Sequence, residues 1–157
     1  MLGTVEGVFH PVVSASSMDE ALRYYRDLLG LTVTFDDYHD PAAISALFGY
    51  PQPRLHSVIV GCPDGSEIEL VEFESPRGRP DLRREPADPG LLSVNLRVRG
   101  IEAIVERLID AGYPPRSGIV DQVLPDGGVI KVAICRAPDD VTIILVDLPE
   151  GRASLSG

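Results

Sequence analysis

Two spacings of apolar side chains, one of period two and one near three and a half, succeed each other twice along the chain. The stretch VFHPVVSA leads into residues where Met18, Ala21, Leu22, Tyr25, Leu28 and Leu29 share one stripe, which predicts a strand and then a helix over 18–29. Ser17 and Glu20 stand at capping-box spacing before that helix, and Gly30 supplies its stop. LTVTFDD, RLHSVIVG and EIELVEF then read as three strands. The pattern restarts with LLSVNLRV and a helix over 101–111, whose apolar face is Ile101, Ile104, Val105, Leu108 and Ala111, ending at Gly112. A weak strand near SGIVDQVL, a clear one at VIKVAICR and a last one in TIILVDL complete the second round.

The recurrence extends to residue identity. CPDGSEIELVEF (62–73) aligns without a gap on APDDVTIILVDL (137–148), with identical Pro, Asp, Ile, Leu and Val at five of twelve positions. Glu72/Asp147 and Phe73/Leu148 are similar pairs in the same alignment. Each copy is a Pro-Asp turn followed by an alternating strand, and each unit reads strand, helix, three strands. The expected organisation is one domain over 1–157 made of two βαβββ modules, 6–74 and 91–149, with a tail at 150–157. Neither sheet covers its own inner face, so the two should pair around a cavity. The connector 75–90 carries four prolines and four arginines (Arg77, Arg79, Arg83, Arg84); it reads as a solvated linker or as an anion-binding strap. In the insert 38–53, Pro41 through Phe48 predicts a short helix, placed either over the cavity mouth or in a dimer contact. The tail after Pro149 reads as frayed.

Charge and composition narrow the function classes. A formal net charge of −10 argues against a nucleic-acid partner, whose affinity rests on Lys and Arg meeting phosphates. No apolar run approaches the roughly 20 residues that span a membrane, and the N-terminus lacks a signal-peptide pattern, so a cytoplasmic protein is expected. Cys62 and Cys135 form no CxxC and read as reduced thiols at strand ends. There is no GxGxxG, Walker A, HExxH or GxSxG motif, and with no Trp a stacking platform is disfavoured.

His10 on the first strand, the run ALRYYRDLLGLTV, the strand EIELVEF, and in the second copy GLLSVNLRVRGIEAIVERLIDAG and APDDVTIILVDL resemble, in order and spacing, the vicinal oxygen chelate superfamily of glyoxalases, bleomycin resistance proteins and extradiol dioxygenases. The resemblance covers nearly the whole chain and implies an α+β fold of two tandem βαβββ modules. It also implies a homodimer and a small-molecule ligand. In metal-using members each unit supplies one ligand from its first strand, usually His, and one from its last, usually Glu; the metal polarises vicinal oxygens of the substrate. His10 and Glu69 stand at those positions in the first unit, whereas Ser93 and Ile144 stand there in the second. The cofactor expectation is therefore none, or a weakly held divalent metal on His10 and Glu69, with His56, Glu67 or Asn95 as possible third ligands.

Strand parity extends the candidate set. Glu67 and Val71 should share a face with Glu69, leaving Ile68 and Leu70 under the helix, and Asn95 and Arg97 should follow Ser93. On VIKVAICR, the apolar Ile130, Val132 and Ile134 suit the helix side, which would turn Lys131, Ala133 and Cys135 to the cavity. Arg97 and Lys131 could receive a carboxylate, phosphate or enolate oxygen, or stand solvated or salt-bridged. His10 and Glu69 could act as an acid–base pair without metal, or form a structural hydrogen bond. His39 and His56 read as loop and strand residues. The functional expectation is an isomerase-, epimerase- or lyase-like protein acting on a small oxygen-rich metabolite at His10 and Glu69, with Glu67, Ser93, Asn95, Arg97, Lys131 and Ile144 lining the ligand. The alternative is metal-free binding or sequestration of a drug or metabolite.

Overall fold

A computed structural model describes residues 3–79 and 85–155, and divides into two compact units, Met1–Pro80 and Asp81–Gly157. The first contains β1 (Val12–Ser14), α1 (Met18–Leu22) running on as a π-helical segment (Arg23–Leu28), β2 (Thr32–Tyr38), α2 (Pro41–Phe48), β3 (Arg54–Gly61) and β4 (Glu67–Ser75). The second contains β5 (Val94–Val98), α3 (Ile101–Asp110), β6 (Val120–Val123), β7 (Val129–Arg136) and β8 (Thr142–Asp147). Each unit is a mixed four-stranded sheet, ordered β1-β4-β3-β2 and β5-β8-β7-β6. In each, the first strand pairs parallel to the last and the other neighbours are antiparallel.

The same physics builds both. Ile68 and Leu70 on β4 and Ile143 and Leu145 on β8 are fully buried, as are Tyr24, Tyr25, Ile101 and Leu108 from the helices. Burying each such side chain contributes roughly 1.5–3 kcal/mol. The helix predicted over 18–29 is present but widens after Leu22, with Leu29 N–H donating to the Tyr24 carbonyl at 3.0 Å. Ser17 caps it, accepting from Glu20 N–H at 3.3 Å.

A more distant cap explains one of the similar pairs in the repeat. Glu72 Oε2 accepts from Met18 N–H at 2.8 Å, and Asp147 Oδ2 accepts from Gly100 and Ile101 N–H at 2.8 and 3.0 Å. In each unit, then, a last-strand carboxylate satisfies orphan donors at the start of the helix and favours its dipole. The Pro-Asp turns also match: Gly65 and Asp140, aligned in the repeat, have φ of 86° and 61°, a conformation Gly adopts freely and Asp tolerates.

Two expectations change. The chain after Pro149 is tied down through residue 155: Arg152 bonds Asp126 at 2.8 Å and the carbonyls of Ser154 and Leu155 at 2.8 and 2.6 Å. The Arg152 guanidinium fills the space a Cβ on Gly128 would need. Arg77 and Arg79 of the connector are exposed, while Arg83 and Arg84 lie outside the described residues.

The face of β7 is also reversed. Ala133 and Cys135 are buried, and Lys131, of the same parity, pairs with Glu102 on α3. Lys131 therefore stands on the helix side rather than towards a cavity. Ile130 is buried on the other face, in a cluster with Leu124 and Leu148 against which Val132 and Val146 pack. Burial pushes the Cys135 thiol up to about 11, as expected of an inert packing residue.

Candidate functional site

The face of the first sheet turned away from α1 carries the carboxylate of Glu69. Its position follows from register: Glu69 pairs with Val12 of β1 on one side and with Ile59 of β3 on the other. The Glu69 N–H donates to the Pro11 carbonyl at 3.0 Å, which holds the residues before β1 against β4. His10, two residues before Val12, then places Nε2 at 3.0 Å from Glu69 Oε2.

Two further side chains reach the other oxygen. Ser57, on the same face of β3, donates to Glu69 Oε1 at 2.7 Å. His39, just past the end of β2, holds its backbone N–H on the Leu55 carbonyl at 3.0 Å and places Nε2 at 3.1 Å from Oε1. Ser57 is wholly buried and the His10 side chain is 8% exposed, whereas the His39 side chain is 40% exposed.

Electrostatics assigns the protons. Burial raises the Glu69 carboxyl, but hydrogen bonds from Ser57, His39 and His10, with the charge of His39, outweigh it and leave the group below its ordinary value. An ionised carboxylate only accepts, so both imidazoles donate from Nε2. In neutral His10 that tautomer makes Nδ1 the lone-pair nitrogen. Nδ1 is buried and has no hydrogen-bond partner. A buried unpartnered acceptor is costly, and a catalytic role, an ion or an ordered water is what accounts for such groups in native proteins.

The other expected residues have partners within their own units. Glu67 shares its face but accepts from Thr34 Oγ1 at 3.3 Å. In the second unit Ser93 donates to Asn95 at 2.6 Å, Asn95 pairs in register with Ile144, and Ile144 is half-buried. Arg97 is exposed on the face of Asn95 and donates to the Ala153 carbonyl at 3.4 Å. His56, weighed as a third ligand, lies on the α1 side, bonded to Asp36 at 2.6 Å and stacked on Tyr38.

Register shows what occupies each corresponding place in the second unit. Glu69 corresponds to Ile144 and Val12 to Asn95, so His10 corresponds to Ser93. Ser57 and Val71 pair as Val132 and Val146 do, so Ser57 corresponds to Val132. His39 bonds Leu55 where Gln122 pairs with Ile130, so His39 corresponds to Gln122. All four polar members of the Glu69 cluster are replaced.

Neither His39 nor Ser57 was singled out from sequence as a member of this centre. Ser57 had a usable signal, as the hydroxyl in an otherwise apolar strand at the parity of Glu69. His39 lies where strand becomes insert, and only the Leu55 pairing puts its ring on the sheet.

The donor set does not fit the four-ligand metal centre that the architecture suggests. Ile144 cannot coordinate, and both Glu69 oxygens already accept from side chains of their own unit. Among the described residues no group of three or more His, Cys, Asp or Glu is arranged to hold a metal ion. No helix among them is long and apolar enough to cross a membrane.

Two βαβββ units in tandem, with a His–Glu pair at the first-strand and last-strand positions of one, define the class of fold. The model of the Glyoxalase/Bleomycin resistance protein/Dioxygenase superfamily matches residues 7–145, and the chain belongs to that family. It is similar to a lactoylglutathione lyase-like protein, terB, of Aspergillus terreus, at 29% identity over 149 residues, covering 90% of this chain and 75% of the relative. Among solved structures it resembles a glyoxalase family protein from Bacillus cereus, with TM-score 0.78 and 21% identity over 93% of this chain and 96% of that one. It also resembles a glyoxylase/bleomycin resistance protein/dioxygenase domain from Frankia sp. EAN1pec, with TM-score 0.65 and 21% identity over 95% and 96% of the two chains. At these identities the structures attest the fold.

Proposed function

We propose that this protein binds a small oxygen-rich metabolite at the Glu69 face of its first unit and carries out an isomerase-, epimerase- or lyase-like proton transfer with His10 as the acid–base group. The observation that carries this reading is the Glu69 clamp, which fixes the His10 tautomer and leaves Nδ1 buried and unpartnered. In the reaction the C–H bond beside a substrate carbonyl breaks, the proton moves to Nδ1, and the electron pair becomes an enolate. Imidazolium then returns the proton to the same carbon or its neighbour. Glu69 stabilises the imidazolium as a buried carboxylate does in other His-based centres. The likeness to a lactoylglutathione lyase-like protein agrees with this chemistry class.

Glu67, Ser93, Asn95 and Arg97 are kept as ligand-contacting candidates, and a cytoplasmic homodimer as the setting; sedimentation measures the latter. Lys131, paired with Glu102, is dropped from the ligand set. The test is loss of α-proton signals in heavy water across a panel of diketones and acyl-CoA esters, with metal content measured on protein prepared without chelators. His10→Ala should slow exchange about 10²- to 10⁴-fold, the usual worth of a positioned acid–base group. Glu69→Gln should slow it in the same direction, and turnover unaffected by both changes would exclude the pair.

A second reading, metal-free sequestration of a drug or metabolite, is favoured by one observation. The second unit offers Val132, Ile134, Ile144 and Val146 on one strand face, an aliphatic surface where the first unit carries Ser57 and Glu69 among Ile59 and Val71. Thermal stabilisation by a compound that is never consumed would support it.

A further inference from the structure

The insert that separates β2 from β3 is attached to the Glu69 face by very little. Helix α2 has eight residues, well short of the roughly 12–15 at which an isolated helix persists in water. Its ends are well formed: Asp40 accepts from Ala43 N–H at 3.1 Å, Pro41 opens it, and Gly49 closes it at φ 76°. Its only buried side chain is Ile44, which packs on Leu55 and Val71, with Phe73 against the same cluster. Leu47 and Phe48 are 77% and 56% exposed, and Phe48 and Tyr50 touch Phe73 edge-on. Leu55, Val71 and Phe73 share the face of Glu69, because Leu55 pairs with Phe73, and Ser57 with Val71. The helix therefore covers the sheet beside Glu69.

The same insert begins with His39. Its backbone is held by the carbonyl of Leu55, the residue whose side chain seats Ile44. One strand residue thus anchors both the helix and the imidazole on Glu69 Oε1. We infer that residues 39–50 act as a hinged cover, and that seating of α2 through Ile44 is what sets the His39 ring on Glu69, making His39 a positioning residue rather than an acid or base. The open cover would expose the face and release one of the two donors on Oε1; the closed one would orient the carboxylate that orients His10. This gating meaning rests on the proposed role of the His10–Glu69 pair, but the coupling itself does not.

The test therefore uses no substrate. In the full chain, amide hydrogen exchange of 41–48 and the imidazole ¹⁵N shifts of His39 and His10 are measured for wild type, Ile44→Ala, His39→Ala and Leu47→Ala. In the wild type the helix amides should exchange faster than those of β3 and β4. Ile44→Ala should speed helix exchange about tenfold or more through loss of the buried side chain, and should move the His39 Nε2 shift. Because coupling is reciprocal, His39→Ala should also speed helix exchange, while Leu47→Ala should leave both readouts unchanged. If Ile44→Ala does not fold, Ile44→Val should give smaller changes in the same directions. Helix exchange as slow as that of the strands, or an Ile44 variant that frees the helix without moving His39, would overturn the inference. Either result would leave the His10–Glu69 reading standing, and a failure to find turnover would leave the coupling standing.

Discussion

The two units are built alike and equipped differently. Leu70 and Leu145 are fully buried at aligned positions, and Glu72 and Asp147 both hold the first N–H groups of their unit's helix. Four other register positions diverge together: His10, His39, Ser57 and Glu69 in the first unit stand against Ser93, Gln122, Val132 and Ile144 in the second. What both units share serves burial and helix starts. Among what they do not share is one hydrogen-bonded cluster, and the proposed chemistry rests on that cluster, since fold alone assigns none.

The comparison can be broken most directly in the core. Leu70→Ala and Leu145→Ala should each cost about 2–5 kcal/mol in urea denaturation, with similar values if the two units depend on their helices equally. A markedly smaller cost in one unit would show that its helix is the less important cover. Next come the carboxylates at the helix starts. Glu72→Ala and Asp147→Ala should each cost about 0.5–2 kcal/mol, and Asp147 should be the more sensitive because Gly100 offers no side-chain cap of its own.

The smallest effect is a dependence on acid. The Glu69 carboxyl lies below its ordinary value when folded, so its contribution is complete above the unfolded value and is lost as pH falls through the folded one. Stability of the wild type should therefore fall more steeply than that of Glu69→Gln at the acid end of the carboxylate range. Ile144, its counterpart, adds no such slope, and equal slopes in wild type and Glu69→Gln would show that the clamp does not hold the charge.

Much of this architecture was legible in the chain. The gapless repeat, the switch between helical and strand spacing, the short helix at Pro41–Phe48 and the contrast of Glu69 with Ile144 follow from local pattern, and the family resemblance adds the contrast of His10 with Ser93. Local pattern went astray on β7, where apolar residues occupy both parities. Alternation assigned the larger aliphatics to the helix side, but α3 lies over Ala133 and Cys135, and Ile130 is buried instead by Leu124 and Leu148 from outside the strand. Lys131 moved with that reversal, to Glu102.

The sequence by itself determined two βαβββ units, because periodicity and identity are local properties of the chain, and through its family resemblance an unequal pair of candidate positions. Only the tertiary structure decided that His39 and Ser57 complete the Glu69 cluster, that a carboxylate on each last strand starts each helix, and which face of β7 is covered. Those depend on strand register and on side chains far apart in sequence, and register is settled by burial of the whole sheet rather than by any one segment.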